Sequence, residues 1–343
     1  MNRIILLFIL VPAVSLAVSD AEQFSDLKRD DFANMPNIFS NQEIDGRKLY
    51  NWQIPAKQPD DNLGIREAPN TTVRNIKRFK DAIIFDATYS TDAFSRRVTP
   101  IVKTKQNKFL ALLGCSFTFG EGLNDNQTLN YFIARQSREY YPYNFAVRGA
   151  GPNTALAQVQ EEGFKARIPE AFGAFVYIYL PSHVNRAVGS LPAVMWNFMT
   201  PFYEESSSGL VRDGSFESGR PLTTKLYRSI GSLFGNNVLK NREFPFRNQN
   251  DESFVCRLFT EMRNNLKADF PKSDFIVYTH PFYPTSNFLK DCGKLGGFSV
   301  YFGTAIPEDH AAFEIPFDMH PNAEANRLIA EEILKLVSAE RKH

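Results

Sequence analysis

From about residue 105 the chain alternates continuous apolar runs with stretches of helical periodicity. Phe109-Leu110-Ala111-Leu112-Leu113 is unbroken and stops at Gly114. Similar runs follow at Tyr143 to Val147, Ala174 to Leu180, Phe275 to Tyr278 and Phe298 to Phe302. Apolar runs that do not alternate with polar residues predict strands buried on both faces. Between them, Leu129, Phe132, Ile133 and Gln136 share one helical face, as do Leu156, Val159 and Gly163, and Phe254, Leu258, Met262 and Leu266. A last helix starts near Pro321, a residue type favoured at a helix start, and turns Leu328, Ile329, Ile333, Leu336 and Val337 to the core. Strands alternating with helices predict an α/β domain, a mostly parallel sheet covered on both faces. Ligands of such sheets bind at the carboxyl ends of the strands.

Two segments depart from this rhythm. Residues 22–104 are polar, with weak strand candidates such as Ala82 to Tyr89, and predict an N-terminal extension packed on the main domain of residues 105–343. Residues 181–250, with Trp196, Phe198, Phe202, Tyr203, a turn at Ser206-Ser207-Ser208-Gly209 and a helix around Thr223 to Phe234, are too long for a plain connection. This insertion leaves the carboxyl end of a strand and is expected over the active site as a lid or recognition element; the alternative is a packing embellishment away from it.

The start of the chain adds a compartment. Arg3, the apolar run Ile4 to Leu10, and small residues at Ser15, Ala17, Ser19 and Ala21 have the layout of a cleavable secretory signal over residues 1–21. The run is short for a membrane span, so a secreted or periplasmic protein with no later membrane segment is expected; the alternative is a membrane anchor that stays attached. Export permits a disulfide; Cys256–Cys292 is the plausible pair among three cysteines, and two free thiols are the alternative. A net charge of +1 spread along the chain gives no basic patch for nucleic acid. Hydrophobic residues at 43% and 31 phenylalanines suit a large aromatic core or cleft.

Three motifs carry chemistry. In Gly114-Cys115-Ser116-Phe117-Thr118-Phe119-Gly120, a serine sits at the end of the first buried strand, before a helix, where backbone N–H groups stabilise an oxyanion. In Asp318-Met319-His320-Pro321-Asn322, residues two apart in an extended segment point the same way, so Asp318 reaches one imidazole nitrogen of His320 and leaves the other for Ser116. Asn144 to Asn153 places small residues after the second strand, with the Gly149 N–H as an oxyanion donor. The Gly-x-Ser-x-Gly elbow of the other large serine-hydrolase class fails, because position 118 is Thr.

Together these motifs resemble the SGNH, or GDSL-type, hydrolase superfamily over about residues 105–340. The first block, usually Gly-Asp-Ser-x-Thr-x-Gly, matches 114–120 with Cys115 in place of Asp; Asn144 and Gly149 match the second, and Asp318 to Asn322 match the last. Ala87 to Arg97 is similar to the preamble of many exported members. The resemblance implies a three-layer α/β/α sandwich of flavodoxin-like order with a five-stranded sheet. It implies an esterase or acyl hydrolase with Ser116, Asp318 and His320 as triad, no metal and no cofactor, acting on a small-molecule or glycan O-acyl ester. The family's third block, Gly-x-Asn-Asp, is absent after Leu180; His183 and Asn185 are expected to replace its oxyanion donor beside the N–H groups of Ser116 and Gly149. Cys115 is expected to be a small buried residue. Alternatives are an O-acyltransferase of cell-envelope glycans, a non-catalytic glycan-binding protein that keeps the fold, and a metal-dependent hydrolase using Asp318, His320 and His183 or His310.

Overall fold

The computed structural model describes residues 40–44, 47–49, 57–79, 82–207, 209–239, 247–284 and 287–339; the expected secretory signal lies outside them. Among the described residues six strands precede the α/β unit: β1 (Ser40–Ile44), β2 (Arg47–Leu49), β3 (Lys57–Asp60), β4 (Gly64–Glu67), β5 (Thr72–Phe79) and β6 (Ala82–Ser90). The α/β unit follows as β7 (Lys108–Leu113), α1 (Ser116–Phe119), α2 (Leu129–Gln136), β8 (Tyr140–Asn144), α3 (Pro152–Val159) and β9 (Gly173–Tyr179). The insertion supplies α4 (His183–Val188), α5 (Leu191–Trp196), the hairpin β10 (Pro201–Ser206) and β11 (Gly209–Ser215), α6 (Phe216–Gly219) and α7 (Pro221–Leu239). The chain closes with α8 (Gln249–Asp269), β12 (Asp274–Thr279), α9 (Phe288–Gly296), β13 (Ser299–Phe302) and α10 (Ala323–Ala339).

The central sheet has five strands in the order β13-β12-β9-β7-β8, and every pairing is parallel. Numbered by their own sequence, the strands run 2-1-3-4-5, the flavodoxin order. Alternate residues of each strand feed two cores. Phe109, Ala111, Leu113, Phe175, Tyr177 and Tyr179 face Leu156, Leu258, Phe259 and Met262 of α3 and α8. Leu110, Leu112, Val176, Ile178 and Ile276 face Ile133 of α2 and Ile329 and Ile333 of α10. Both faces are therefore dry, which is why β7 and β9 show no polar alternation. Cys256 of α8 and Cys292 of α9 form a disulfide, with Cα atoms 5.1 Å apart. Among the described residues no helix is long and apolar enough to cross a membrane.

Two boundaries differ from expectation. The second strand is Tyr140–Asn144 rather than Tyr143 to Val147. Phe145, Ala146 and Val147 are buried in the loop that leaves it, so their apolar run reports loop burial, not strand. The last helix begins at Ala323, because Pro321 pairs with Glu314 in an isolated bridge.

The residues before 105 form real structure. Strands β2-β1-β5-β6 make a four-stranded antiparallel sheet. One face of it, with Val73, Phe85, Ala87 and Tyr89, is buried against Phe119 at the end of α1, Leu123 just after it, and Ile315. Charged side chains lock the contact. Arg148 is 3% exposed and grips Glu67 of β4 through two hydrogen bonds, Nε to Oε1 at 2.9 Å and Nη2 to Oε2 at 2.7 Å. Arg97, 2% exposed, donates to Asp125 Oδ1 at 2.7 Å and to the carbonyls of Thr88, Gly120 and Leu123. Removing one partner of such a buried pair costs about 3–5 kcal/mol.

Candidate active site

Ser116 is placed by a backbone that only glycine permits. β7 ends at Leu113, and Gly114 turns the chain at φ 146°. A Cβ there would fall 2.3 Å from Thr118 Oγ1 and 3.2 Å from the Ile178 carbonyl oxygen. Cys115 is the extended N-cap residue, a free thiol with no exposure. Ser116 opens α1 and is half-buried. Asn144 holds this turn: its Nδ2 donates to the Thr118 carbonyl and to Asn130 Oδ1, each at 2.9 Å.

His320 reaches Ser116 from the far end of the chain. Its Nε2 is 2.8 Å from Ser116 Oγ, and its Nδ1 hydrogen-bonds Asp318 Oδ1. The route differs from the extended segment expected. Phe317 and Met319 both adopt left-handed backbone, at φ 61° and 68°. The resulting turn is closed by the Asp318 N–H donating to the Ile315 carbonyl at 3.1 Å, and by the Ile315 N–H donating to the His320 carbonyl at 2.7 Å. Non-glycine residues in this region cost of order 1–3 kcal/mol each and persist where surrounding structure over-determines them.

Asp318 is 7% exposed, and its other oxygen, Oδ2, accepts an ion pair from Lys77 of β5. Burial pushes its carboxyl up, but His320 and Lys77 outweigh that and hold it well below the usual carboxylate range. The carboxylate is therefore ionised at neutral pH and takes the Nδ1 proton of His320 as its hydrogen bond. That leaves Nε2 as the acceptor for the Ser116 hydroxyl.

Gly149 adopts φ 85° in the loop after β8. Among the described residues neither its N–H nor that of Ser116 donates to a protein acceptor. The insertion closes on this loop. Arg186 of α4 donates Nη1 to the Ala150 carbonyl at 2.9 Å. The indole of Trp196, the last residue of α5, lies directly over Gly149, and a Cβ on Gly149 would fall 1.6 Å from its Cη2. Trp196 is 56% exposed, so one side faces solvent beside the site.

His183 goes elsewhere. It has no exposure, accepts the Tyr177 hydroxyl proton on Nδ1 at 2.9 Å, and packs edge-on against Tyr177 and Tyr179. The Leu180 N–H also donates to Nδ1, at 3.4 Å, which places the ring proton on Nε2. That atom is sealed from solvent and without a partner among the described residues, so no substrate oxygen reaches it in this structure. Burial, with Arg186 adding to it, pushes the His183 proton affinity well down. The helix start carries the placement: His183 is the first residue of α4, and its ring lies against Tyr177 and Tyr179, of which Tyr177 packs on Phe259 of α8. Asn185 is half-buried on α4, where its carbonyl caps the helix by accepting from the Gly189 and Ser190 N–H groups.

Two residues of the neighbourhood escaped sequence reasoning. Lys77 had no motif to mark it. His280 follows β12 and packs its ring 5.0 Å from Phe117, which in turn lies 4.8 Å from His320. Burial pushes the His280 proton affinity down to about 3, with His310 and His320 adding to the effect. Its signal was legible, a histidine at the carboxyl end of a buried strand. Among the described residues no group of three His, Cys, Asp or Glu side chains is arranged to hold a metal. Asp318 is taken by Lys77 and His320, while His310 Nδ1 faces Glu314 Oε1 at 2.9 Å.

The sequence blocks that resemble the SGNH superfamily thus meet at one edge of a sheet with the matching strand order. No family model and no curated protein matches the chain. Solved structures similar to it include an acetyl xylan esterase (Est2A) from the rumen bacterium Butyrivibrio proteoclasticus, at 12% identity over 89% of this chain and 83% of that one, with TM-score 0.42. A family two carbohydrate esterase from Clostridium thermocellum, in complex with cellohexaose, shares 9% identity over 89% of this chain and 86% of its own, at TM-score 0.39. A lipolytic protein of the G-D-S-L family from Desulfitobacterium hafniense shares 10% identity over 67% of this chain and 99% of its own, at TM-score 0.37. At these values the likeness carries no argument about chemistry; the arrangement of the chain's own residues does.

Proposed function

We propose that this protein is a serine esterase that cleaves O-acyl esters through an acyl-Ser116 intermediate. The observation that carries this reading is the Nε2 of His320 at 2.8 Å from Ser116 Oγ, with Asp318 on the opposite nitrogen. In the reaction, His320 Nε2 takes the Ser116 hydroxyl proton as Oγ attacks the ester carbonyl. The tetrahedral oxygen is stabilised by the N–H groups of Ser116 and Gly149. His320 returns the proton to the leaving alcohol, and then activates water against the acyl-serine. Asp318 keeps the imidazole in the required tautomer throughout. The exposed side of Trp196 borders the acyl or alcohol side of the substrate.

The same reading includes export, which the apolar N-terminal run and the Cys256–Cys292 disulfide support. The test is labelling by a fluorophosphonate together with hydrolysis of p-nitrophenyl acetate. Ser116→Ala should abolish labelling and lower turnover on the order of 10⁶-fold while the thermal midpoint stays near wild type. Full activity in Ser116→Ala refutes the assignment, and loss in Cys115→Ala alone moves the nucleophile to Cys115.

A further inference from the structure

Lys77 lies 241 positions before Asp318 in the chain, yet the two side chains form an ion pair. Val73 and Asn75 are buried on the face of β5 that carries Lys77 two residues further on, in keeping with the period of a strand. The register of β5 against β6 shifts after Lys77, a bulge of the kind that re-aims a side chain. The Lys77 ammonium lies 6.0 Å from the centre of the Phe85 ring, and Phe85 packs against Ile315, in the turn that delivers Asp318. The lysine side chain is 19% exposed and the carboxylate 1%. A buried carboxylate with only one hydrogen-bonded oxygen would be costly; Lys77 occupies the second oxygen, and His320 the first.

We propose that Lys77 is a positioning residue of the active site, and that the N-terminal sheet is therefore part of the catalytic apparatus. Held by Lys77, the carboxylate cannot rotate away from His320, and the lysine charge offsets part of the negative field that favours the imidazolium. The groups facing His320 are Asp318 with Lys77 behind it, Ser116, the Phe117 ring and, beyond that ring, neutral His280. Glu121, on the same side of the extension as Asn75, is occupied by Arg148. This inference rests on the esterase reading above for its effect on turnover, and on geometry alone for its effect on the imidazole.

The experiment compares wild type with Lys77→Gln, Lys77→Met and Lys77→Arg. NMR titration of the His320 imidazole, assigned by its loss in His320→Gln, reports the proton equilibrium without any need for turnover. In the two neutral variants the protonation midpoint should rise by roughly 0.5–1 pH unit. The acid limb of kcat/KM should move up with it, and kcat should fall on the order of tenfold to a hundredfold through misalignment. Lys77→Arg should restore both. A folded Lys77→Gln or Lys77→Met with wild-type midpoint and kcat overturns the proposal, as does a Lys77→Arg that behaves like Lys77→Gln. If wild type neither hydrolyses esters nor labels at Ser116, the esterase reading fails, and the imidazole titration still decides the role of Lys77.

Discussion

The contact between Trp196 and Gly149 makes the insertion's role measurable. Gly149→Ala perturbs it in two separable ways. An alanine at φ 85° carries the left-handed penalty, about 1–2 kcal/mol. Its Cβ would also lie 1.6, 2.1 and 2.7 Å from Cη2, Cζ3 and Cζ2 of Trp196. Carbon atoms rest at about 3.5–4.0 Å, so the indole must retreat by roughly 2 Å. α5 resists, because its Leu191 and Val194 are packed with Phe216 and Tyr227. Overpacking of this kind costs about 1–3 kcal/mol. The sum, about 2–5 kcal/mol, should lower the thermal midpoint by several degrees. Any displacement of the 149 amide also removes the proposed oxyanion donor, for a loss on the order of 10²–10³ in turnover. Adding Trp196→Ala removes the clash and leaves the backbone penalty, so the double variant should regain roughly half of the lost stability. Thermal melts and ester hydrolysis give the two magnitudes. The chain has two tryptophans, so fluorescence in a Trp52→Phe background reports the movement of Trp196 directly. A Gly149→Ala protein with wild-type melting, turnover and emission would refute the reasoning, and so would a double variant no more stable than the single one.

Two further outcomes follow from the site. Asp318→Asn should cut turnover on the order of 10⁴-fold. Because the folded carboxyl is held low, its contribution to stability is present above the unfolded value of about 3.9 and is lost as pH falls below it. The melting gap between wild type and Asp318→Asn should therefore be widest near neutrality and narrow below pH 4; a gap that widens in acid contradicts the assignment. His183→Ala should act on stability instead: the cavity and the stranded Tyr177 hydroxyl should cost about 2–4 kcal/mol, with turnover of the folded protein changed less than tenfold. A hundredfold fall in kcat at unchanged melting temperature would return His183 to the oxyanion site.

Much of the protein was written in local pattern. The doubly buried strands, the helices between them and the Ser116 turn are visible because burial on two faces, helical spacing and glycine punctuation are properties of neighbouring residues. The Asp318 and His320 pair was legible as a pair, though not its backbone: φ 61° and 68° at Phe317 and Met319 are imposed by the turn around Ile315, and nothing in Phe or Met announces them. Tertiary structure alone decided the rest. In the sequence His183 stands as an oxyanion donor and His320 as the base, yet in the fold His183 opens α4 with its ring in the core against Tyr177 and Tyr179, while the last turn presents His320 to Ser116. Residues before 105 read as a polar extension because their apolar face is thin: Val73, Phe85 and Tyr89 become a core only against Phe119 and Ile315, far along the chain. Lys77 is the clearest case. A lysine in a polar strand carries no sign of its role, since the charge that gives it one, on Asp318, is brought beside it only when the N-terminal sheet docks. Local sequence specifies elements and the turn that carries Ser116; which charges meet depends on packing between segments that the chain keeps far apart.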